Sequence, residues 1–180
     1  MSTFSLAGLQ LALPYGDNRE RIAREVESTL RRFPWVQMVV LAELATFGPE
    51  LRYAQVLPGG EAERFYCELA ARLGTWLVPG SLYEQVGEKV YNTSLVIDPS
   101  GGVVARYRKI YPFRPYERNV APGSEIVVFD VPAVGRFGVS ICYDGWFPET
   151  TRAMACLGAT VIIHPTMTGT VDRAQELVIA

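Results

Sequence analysis

The chain has 180 residues, with 17 Lys plus Arg against 19 Asp plus Glu, a net charge of −2 and 49% apolar residues. Such a length and composition fit one globular domain spanning residues 1–180 and exclude a disordered chain or a basic polyanion binder. The longest uncharged stretch, Ala153 to Val171, is interrupted by Gly158, Pro165, Gly169 and four Thr, so no membrane span is expected. Met1 leads into Ser2 and Thr3 with no basic stretch or small-residue cleavage site, which argues against a signal peptide. Cys67, Cys142 and Cys156 make an odd count without a short pairing, the usage of a reducing cytoplasm. In that setting the sequon Asn92-Thr93-Ser94 reads as a polar step in a strand.

Apolar runs of strand length alternate with segments of helical period, the pattern of an α/β protein with a covered sheet. The first run, Phe4 to Leu13, stops at Pro14 and Gly16. Asp17 or Asn18 then caps a helix whose stripe is Ile22, Val26, Leu30 and Phe33. Pro34 breaks that helix, and Val36 to Ala42 is a buried strand that delivers Glu43 at its C-terminal end. Pro58-Gly59-Gly60 opens a second helix, with Ala62, Phe65, Leu69 and Leu73 on one face and Gly74 as its stop. Trp76 to Pro79 is a strand. Val90 to Asp98 and Val103 to Lys109 flank Pro99-Ser100-Gly101-Gly102 and form a hairpin. Residues 110–123 form a loop rich in Pro, Arg and Tyr. Ile126 to Val131 and Gly138 to Ile141 are strands, the second ending on Cys142. Pro148 to Leu157 is a helix with Pro at a tolerated first-turn position, Thr160 to Ile163 a strand, and Val171 onward a fourth helix.

Three polar groups therefore stand at the C-terminal ends of apolar strands, where α/β folds place their sites: Glu43, Lys109 and Cys142. Singly each has a plain structural explanation. Glu43 can cap a turn, Lys109 can belong to a solvated basic face, and Cys142 can be a small buried hydrophobe. Together they are chemically complete. A thiol attacks as its thiolate, a carboxylate can take its proton, and an ammonium can lower its pKa or hold a developing oxyanion. The backbone N–H of Tyr143, the residue after the nucleophile, would be a second oxyanion donor, with the helix from Pro148 adding positive potential.

Leu41-Ala42-Glu43-Leu44, Arg108-Lys109-Ile110 and Gly138-Val139-Ser140-Ile141-Cys142-Tyr143-Asp144, in that order, resemble the Glu, Lys and Cys segments of the nitrilase superfamily of carbon-nitrogen hydrolases. Pro112, Pro115 and Glu117 after the lysine, and Gly145 with Pro148-Glu149 after the nucleophile, are similar to the aliphatic amidase and formamidase branch. Tyr143-Asp144 stands where nitrile-cleaving branches carry Trp-Glu, and Gly145-Trp146-Phe147 where carbamoyl-amino-acid hydrolases carry arginines. The resemblance implies a four-layer αββα sandwich, incomplete at the C-terminus, that assembles into dimers or larger homo-oligomers. It implies a cysteine-dependent hydrolase of small aliphatic amides with neither metal nor organic cofactor. Glu43 would be the base, Lys109 the oxyanion holder, Cys142 the nucleophile and Glu117 a second glutamate that orients substrate. His164, with Pro165 and Thr166, would be a pocket wall, and Tyr143 and Trp146 would contact substrate.

Other readings remain at this stage. A nitrilase or carbamoyl-amide hydrolase of the same superfamily shares the triad. A Cys–His hydrolase would have to use His164, the single histidine. No short Cys pair supports a zinc site. Arg106, Tyr107, Arg108, Lys109, Arg114, Tyr116 and Arg118 interleave basic and aromatic side chains as nucleic-acid binders do, although the chain is slightly acidic overall. An inactive truncated homologue acting as a binding or assembly module is the remaining alternative.

Overall fold

The computed structural model describes residues 3–114 and 116–168. The helix expected from Val171 onward lies outside them. The first sheet starts with parallel strands β1 (Leu6–Leu9), β2 (Met38–Leu41) and β4 (Trp76–Val78). A short β3 (Gln55–Val56) runs parallel to β5 (Ser81–Val86). The long β6 (Lys89–Ile97) carries β4 and β5 end to end along one edge and β7 (Val103–Arg108) along the other, all antiparallel to it. The second sheet has the order β10 (Val161–Ile163), β9 (Gly135–Val139), β8 (Val127–Val131).

The period-2 alternation of the strands decides the layering. Val39 and Leu41, Leu77, Leu95 and Ile97 point one way and pack under helices α1 (Arg19–Arg32) and α2 (Glu61–Leu73), against Ile22, Val26, Ala62, Tyr66 and Leu69. Their neighbours Met38, Trp76, Val78, Val96, Ala105 and Tyr107 point the other way and meet Phe129, Val131, Phe137, Val139, Ile141 and Ile163 of the second sheet. Trp76 is thus a wall of the inter-sheet core. On the far side of the second sheet lies α3 (Pro148–Cys156), close enough that a Cβ on Gly138 would collide with the Met154 side chain. The layers are α, β, β and α, as the resemblance implies. Among the described residues no helix is long and apolar enough to cross a membrane.

Several elements differ in detail from the sequence reading. β1 is shorter than Phe4 to Leu13, because only Leu6–Leu9 find partners on β2. The α1 stripe holds at Ile22 and Val26, both 0% exposed, but the helix ends at Arg32 and Phe33 lies 46% exposed. Asn18 occupies the cap position of α1 without capping it: its Nδ2 donates instead to the carbonyls of Pro14, Gly16 and Ala45, while Asp17 accepts from the Arg19 N–H. In α2 the fully buried aromatic is Tyr66 rather than Phe65, its hydroxyl paired with Thr46 at 3.0 Å. Strand β5 has no counterpart in the sequence reading. It is the extension of β4 past a bend at Pro79-Gly80.

That bend positions the site. Gly80 has φ +78°, and a Cβ there would overlap the carbonyl of Ala42, the residue before Glu43. Only glycine accepts both the left-handed backbone and the contact. Gly80→Ala is therefore expected to destabilise the fold by about 2 kcal/mol or more, measured as a fall in the chemical-denaturation midpoint at unchanged slope.

Candidate active site

The candidate residues converge at one end of the space between the two sheets. Glu43 leaves the C-terminal end of β2, where the Leu44 N–H donates to Ser81 Oγ at 3.1 Å and fixes the turn. Lys109 continues the inward parity of Ala105 and Tyr107 at the end of β7. Its backbone is held at both ends: its N–H donates to the Asn92 carbonyl at 2.8 Å and its carbonyl accepts from Gly123 N–H at 2.8 Å. Glu117 is brought in by the loop after β7, which returns through a bridge between Val90 and Val120. Cys142 follows β9, its N–H donating to the Pro165 carbonyl at 3.0 Å, and opens a 3-10 helix over Cys142–Trp146.

These groups form one hydrogen-bonded cluster. Lys109 Nζ donates to Glu43 Oε1 and to Glu117 Oε2, each at 2.7 Å, with all three residues buried. Glu117 also accepts from the Phe113 N–H at 2.7 Å. Its carboxylate therefore does not pair with Arg114 or Arg118; Arg114 Nη1 donates instead to the carbonyls of Glu117, Arg118 and Val120. The Cys142 thiol stands beside the Glu43 carboxylate, close enough that each shifts the other's proton affinity; it lies 3.6 Å from the Met167 carbonyl, while the Met167 N–H donates to Glu43 Oε2 at 3.1 Å.

Burial and the facing charges together set the protonation states. It pushes the Glu43 carboxyl above the usual carboxylate range, against the opposing pull of Lys109. For Lys109 burial disfavours the ammonium, but the two facing carboxylates outweigh it and hold its pKa above the ordinary lysine value. The Cys142 thiol is pushed up to about 12, first by burial and then by the Glu43 charge, with Lys109 pulling the other way. At rest the sulfur is a thiol beside a base.

The backbone at Cys142 is strained, with φ +46° in a non-glycine residue. Asp144 holds that turn in place. Fully buried, it accepts from the Ile141 N–H at 2.9 Å, the Tyr107 hydroxyl at 2.7 Å, and the Ile110 and Tyr111 N–H groups at 3.1 and 2.8 Å. One carboxylate thus ties the nucleophile turn to the segment that follows Lys109. Asp144 is not among the site residues expected from the sequence, where its signal is an acid two residues after the candidate nucleophile.

The remaining candidates fall around this cluster. Tyr143 is the second residue of the 3-10 helix, so that helix's own ladder does not use its N–H; the positive potential expected from the helix at Pro148 has this short turn interposed. The Tyr143 ring packs with Phe113, Trp146 and Phe147 at centroid distances of 5.0, 5.9 and 5.3 Å. Trp146 is 46% exposed, at the outer edge of that group. His164 Nδ1 lies 2.7 Å from Ser140 Oγ, and its ring covers Gly145, where a Cβ would come within 2.9 Å of Nε2. Desolvation of the ring lowers its affinity for a proton. The acid–base partner gathered at the thiol is Glu43, which the Cys–His reading leaves without a purpose.

Asn92 is the residue that the sequence reading missed. It is 0% exposed, and its Nδ2 donates to Glu43 Oε1 at 2.9 Å and Glu117 Oε1 at 2.8 Å. Polar side chains are disfavoured in a central strand, and an Asn of inward parity opposite the other candidates was the available clue. The basic, aromatic run read as a possible nucleic-acid surface is largely engaged elsewhere. Tyr107 and Lys109 are buried, Arg106 pairs with Glu63 at 2.7 Å, and Arg108 grips Glu84 through two bonds of 2.7 and 2.8 Å. No group of three or more His, Cys, Asp and Glu fit to hold a metal occurs among the described residues.

Comparison with known proteins agrees with this architecture. The family described as carbon-nitrogen hydrolase matches residues 8–177, and the chain belongs to that family. A formamidase of Bacillus cereus (strain Q1) is 31% identical over 91% of the chain and 53% of its own length. One from Bacillus thuringiensis (strain Al Hakam) is 30% identical with the same coverage. The chain thus spans about half the length of the curated relatives it matches. Among solved structures, Saccharomyces cerevisiae Nit3, a member of branch 10 of the nitrilase superfamily, superposes with a TM-score of 0.85 at 28% identity, covering 93% of this chain and 66% of that one. A Nesterenkonia amidase of the superfamily shares the fold, with a TM-score of 0.87 at 22% identity over 98% of this chain and 70% of its own.

Replacing Asp144 by Asn would set an NH₂ against at least one of the four donors that now converge on the carboxylate. Asp144→Asn is expected to lose about 2–3 kcal/mol of stability, read from denaturant unfolding, and to loosen the Cys142 turn.

Proposed function

We propose that this site hydrolyses the C–N bond of a small aliphatic amide to a carboxylic acid and ammonia through a thioester on Cys142. The observation that carries the reading is the buried cluster in which Lys109 bridges Glu43 and Glu117 while Glu43 faces the Cys142 thiol. Glu43 takes the Cys142 proton as the sulfur bonds to the amide carbon. Lys109 and the Tyr143 N–H hold the oxyanion that forms; Lys109 has three N–H bonds and gives two to carboxylates, which leaves one for this oxygen. The oxyanion collapses, the C–N bond breaks, and the proton from Glu43 goes to the departing nitrogen. Water then gives a proton to Glu43 as its oxygen attacks the thioester; the C–S bond breaks, the proton returns to sulfur and the acid leaves.

A small, uncharged acyl group is favoured because the aromatic group beside the nucleophile turn, Phe113, Tyr143, Trp146 and Phe147, carries no charge to hold a substrate carboxylate. The formamidase relatives support the same size class. We read residues 1–180 as the part of a single carbon-nitrogen hydrolase domain that holds the triad, in a protein that works in the cytoplasm and self-associates. The three free cysteines support the compartment; size-exclusion chromatography with light scattering tests the association.

Ammonia release from formamide, acetamide, propionamide, glutamine and a short nitrile, with and without iodoacetamide, tests the activity. Turnover of a short amide that alkylation abolishes is expected; turnover of nitriles alone, or undiminished turnover by Cys142→Ala, overturns the reading.

The working form needs Glu43 ionised and Lys109 protonated. Because burial raises Glu43, kcat is expected to climb with pH through a limb lying above the ordinary glutamate value of about 4.3. It should fall only in the alkaline range, where Lys109 and Cys142 lose their protons. In Glu43→Gln the acid limb should vanish along with at least about 100-fold of kcat, measured by initial rates across pH.

A further inference from the structure

Asn92 lies midway along β6, its side chain on the face shared with Val96, which looks into the space between the sheets. Its two N–H bonds go to two different carboxylates, Glu43 Oε1 and Glu117 Oε1. Its main-chain carbonyl accepts the Lys109 N–H. One residue thus touches all three members of the charged cluster. Both side-chain contacts are to carboxyl oxygens, so the amide presents its NH₂ to them; turned over, its oxygen would face two acceptors. The buried Oδ1 has no hydrogen-bond partner among the described residues. A buried acceptor left unpaired is unfavourable, and at this position the two charge-assisted bonds on the nitrogen side are what offset it.

Lys109 gives one positive charge to a pocket with two carboxylates, so the cluster is short of positive charge. Asn92 supplies the donors that a second cation would supply without adding a charge that would draw the carboxylates off Lys109. Resting on the amidase reading above, we propose that Asn92 is a positioning residue that holds Glu43 and Glu117 on either side of Lys109 and keeps Glu43 in its ionised, proton-accepting form. Among the described residues the groups facing Glu43 and Asn92 are Lys109 from the end of β7, Glu117 from the following loop, itself held by the Phe113 N–H, Tyr83 from β5, Cys142 from the turn after β9 and the Met167 N–H. Of these, Lys109 and Cys142 favour the Glu43 anion and Glu117 opposes it, while the Asn92 and Met167 N–H groups each donate to one of its oxygens.

The test is the pH dependence of Cys142 alkylation by iodoacetamide, followed peptide by peptide by mass spectrometry on the intact protein, so that Cys67 and Cys156 serve as internal controls. This readout requires no amide turnover. Asn92→Ala and Asn92→Asp are compared with wild type, with thermal unfolding recorded on each. In Asn92→Ala the Cys142 alkylation limb should move up by about one pH unit, with kcat for the preferred amide down at least tenfold and KM within threefold. In Asn92→Asp, where a third carboxyl replaces the donors, the limb should move further. A limb that stays in place in both folded variants overturns the proposal, and so does a loss of thermal stability with kcat unchanged. Should wild type turn over no amide, the alkylation limb still decides the role of Asn92, while the amidase reading alone falls.

Discussion

A buried ammonium between two buried carboxylates is the constraint around which the rest is arranged. Lys109 is 1% exposed, and removing such a charge from water without compensation would be prohibitively unfavourable. Compensation requires both carboxylates to arrive within hydrogen-bonding distance, and they come from parts of the chain 66 and 8 residues away from Lys109. The parallel order of β1, β2 and β4 brings Glu43 to that end of the sheet. Lys109 reaches the same end because β7 runs antiparallel to β6. The loop after β7 folds back on β6 through the Val90–Val120 bridge and so delivers Glu117. The ion cluster is thus a result of sheet topology, and a shift of one residue in the β6–β7 register would turn Lys109 away from the inter-sheet space.

A second tie makes the site one unit across the two sheets. Asp144 belongs to the turn after β9, yet three of its four donors come from the β7 side: the Tyr107 hydroxyl and the backbone of Ile110 and Tyr111. Packing of Met38, Val96 and Tyr107 against Phe137, Val139 and Ile141 sets the separation of the sheets. The Asp144 bonds then fix how the Cys142 turn stands relative to Lys109. Hydrophobic burial is non-directional and could not fix that alone; four hydrogen bonds to one carboxylate are directional and can.

Much of this was legible in the sequence because the three reactive side chains end apolar runs. Glu43, Lys109 and Cys142 each follow a strand whose composition declares burial, so their position is anomalous and their order matches a family pattern. Glu117 was legible only through that pattern, since its neighbours Arg114 and Arg118 offered a plausible local partner that the fold leaves unused. Strand β5 and Asn92 escaped for a shared reason. Ser81–Val86 and Asn92–Ser94 carry polar side chains that are buried because other polar groups meet them. Ser81 accepts from Leu44, Glu84 meets Thr93 and Arg108, and Ser94 reaches the Gly80 carbonyl. Hydrophobic periodicity cannot register a strand whose interior contacts are hydrogen bonds. The choice of Tyr66 over Phe65 has the same origin, because the Thr46 hydroxyl that satisfies it is twenty residues away.

The proposed chemistry also suits a dry site. With both carboxylates ionised, Glu43, Glu117, Lys109 and the Cys142 thiol carry one net negative charge. Passing the thiol proton to Glu43 moves that charge to sulfur without changing the total, and attack on a carbonyl moves it on to oxygen beside Lys109. No step requires a new net charge to be created in the low-dielectric interior, which is the expensive event there. A thiol held near 12 is then consistent with nucleophilic use. The thiolate need not accumulate; it needs only an adjacent base, and the same burial raises the proton affinity of that base. Desolvation that would silence an isolated cysteine instead strengthens each interaction of the cluster with the oxygen on which the charge arrives.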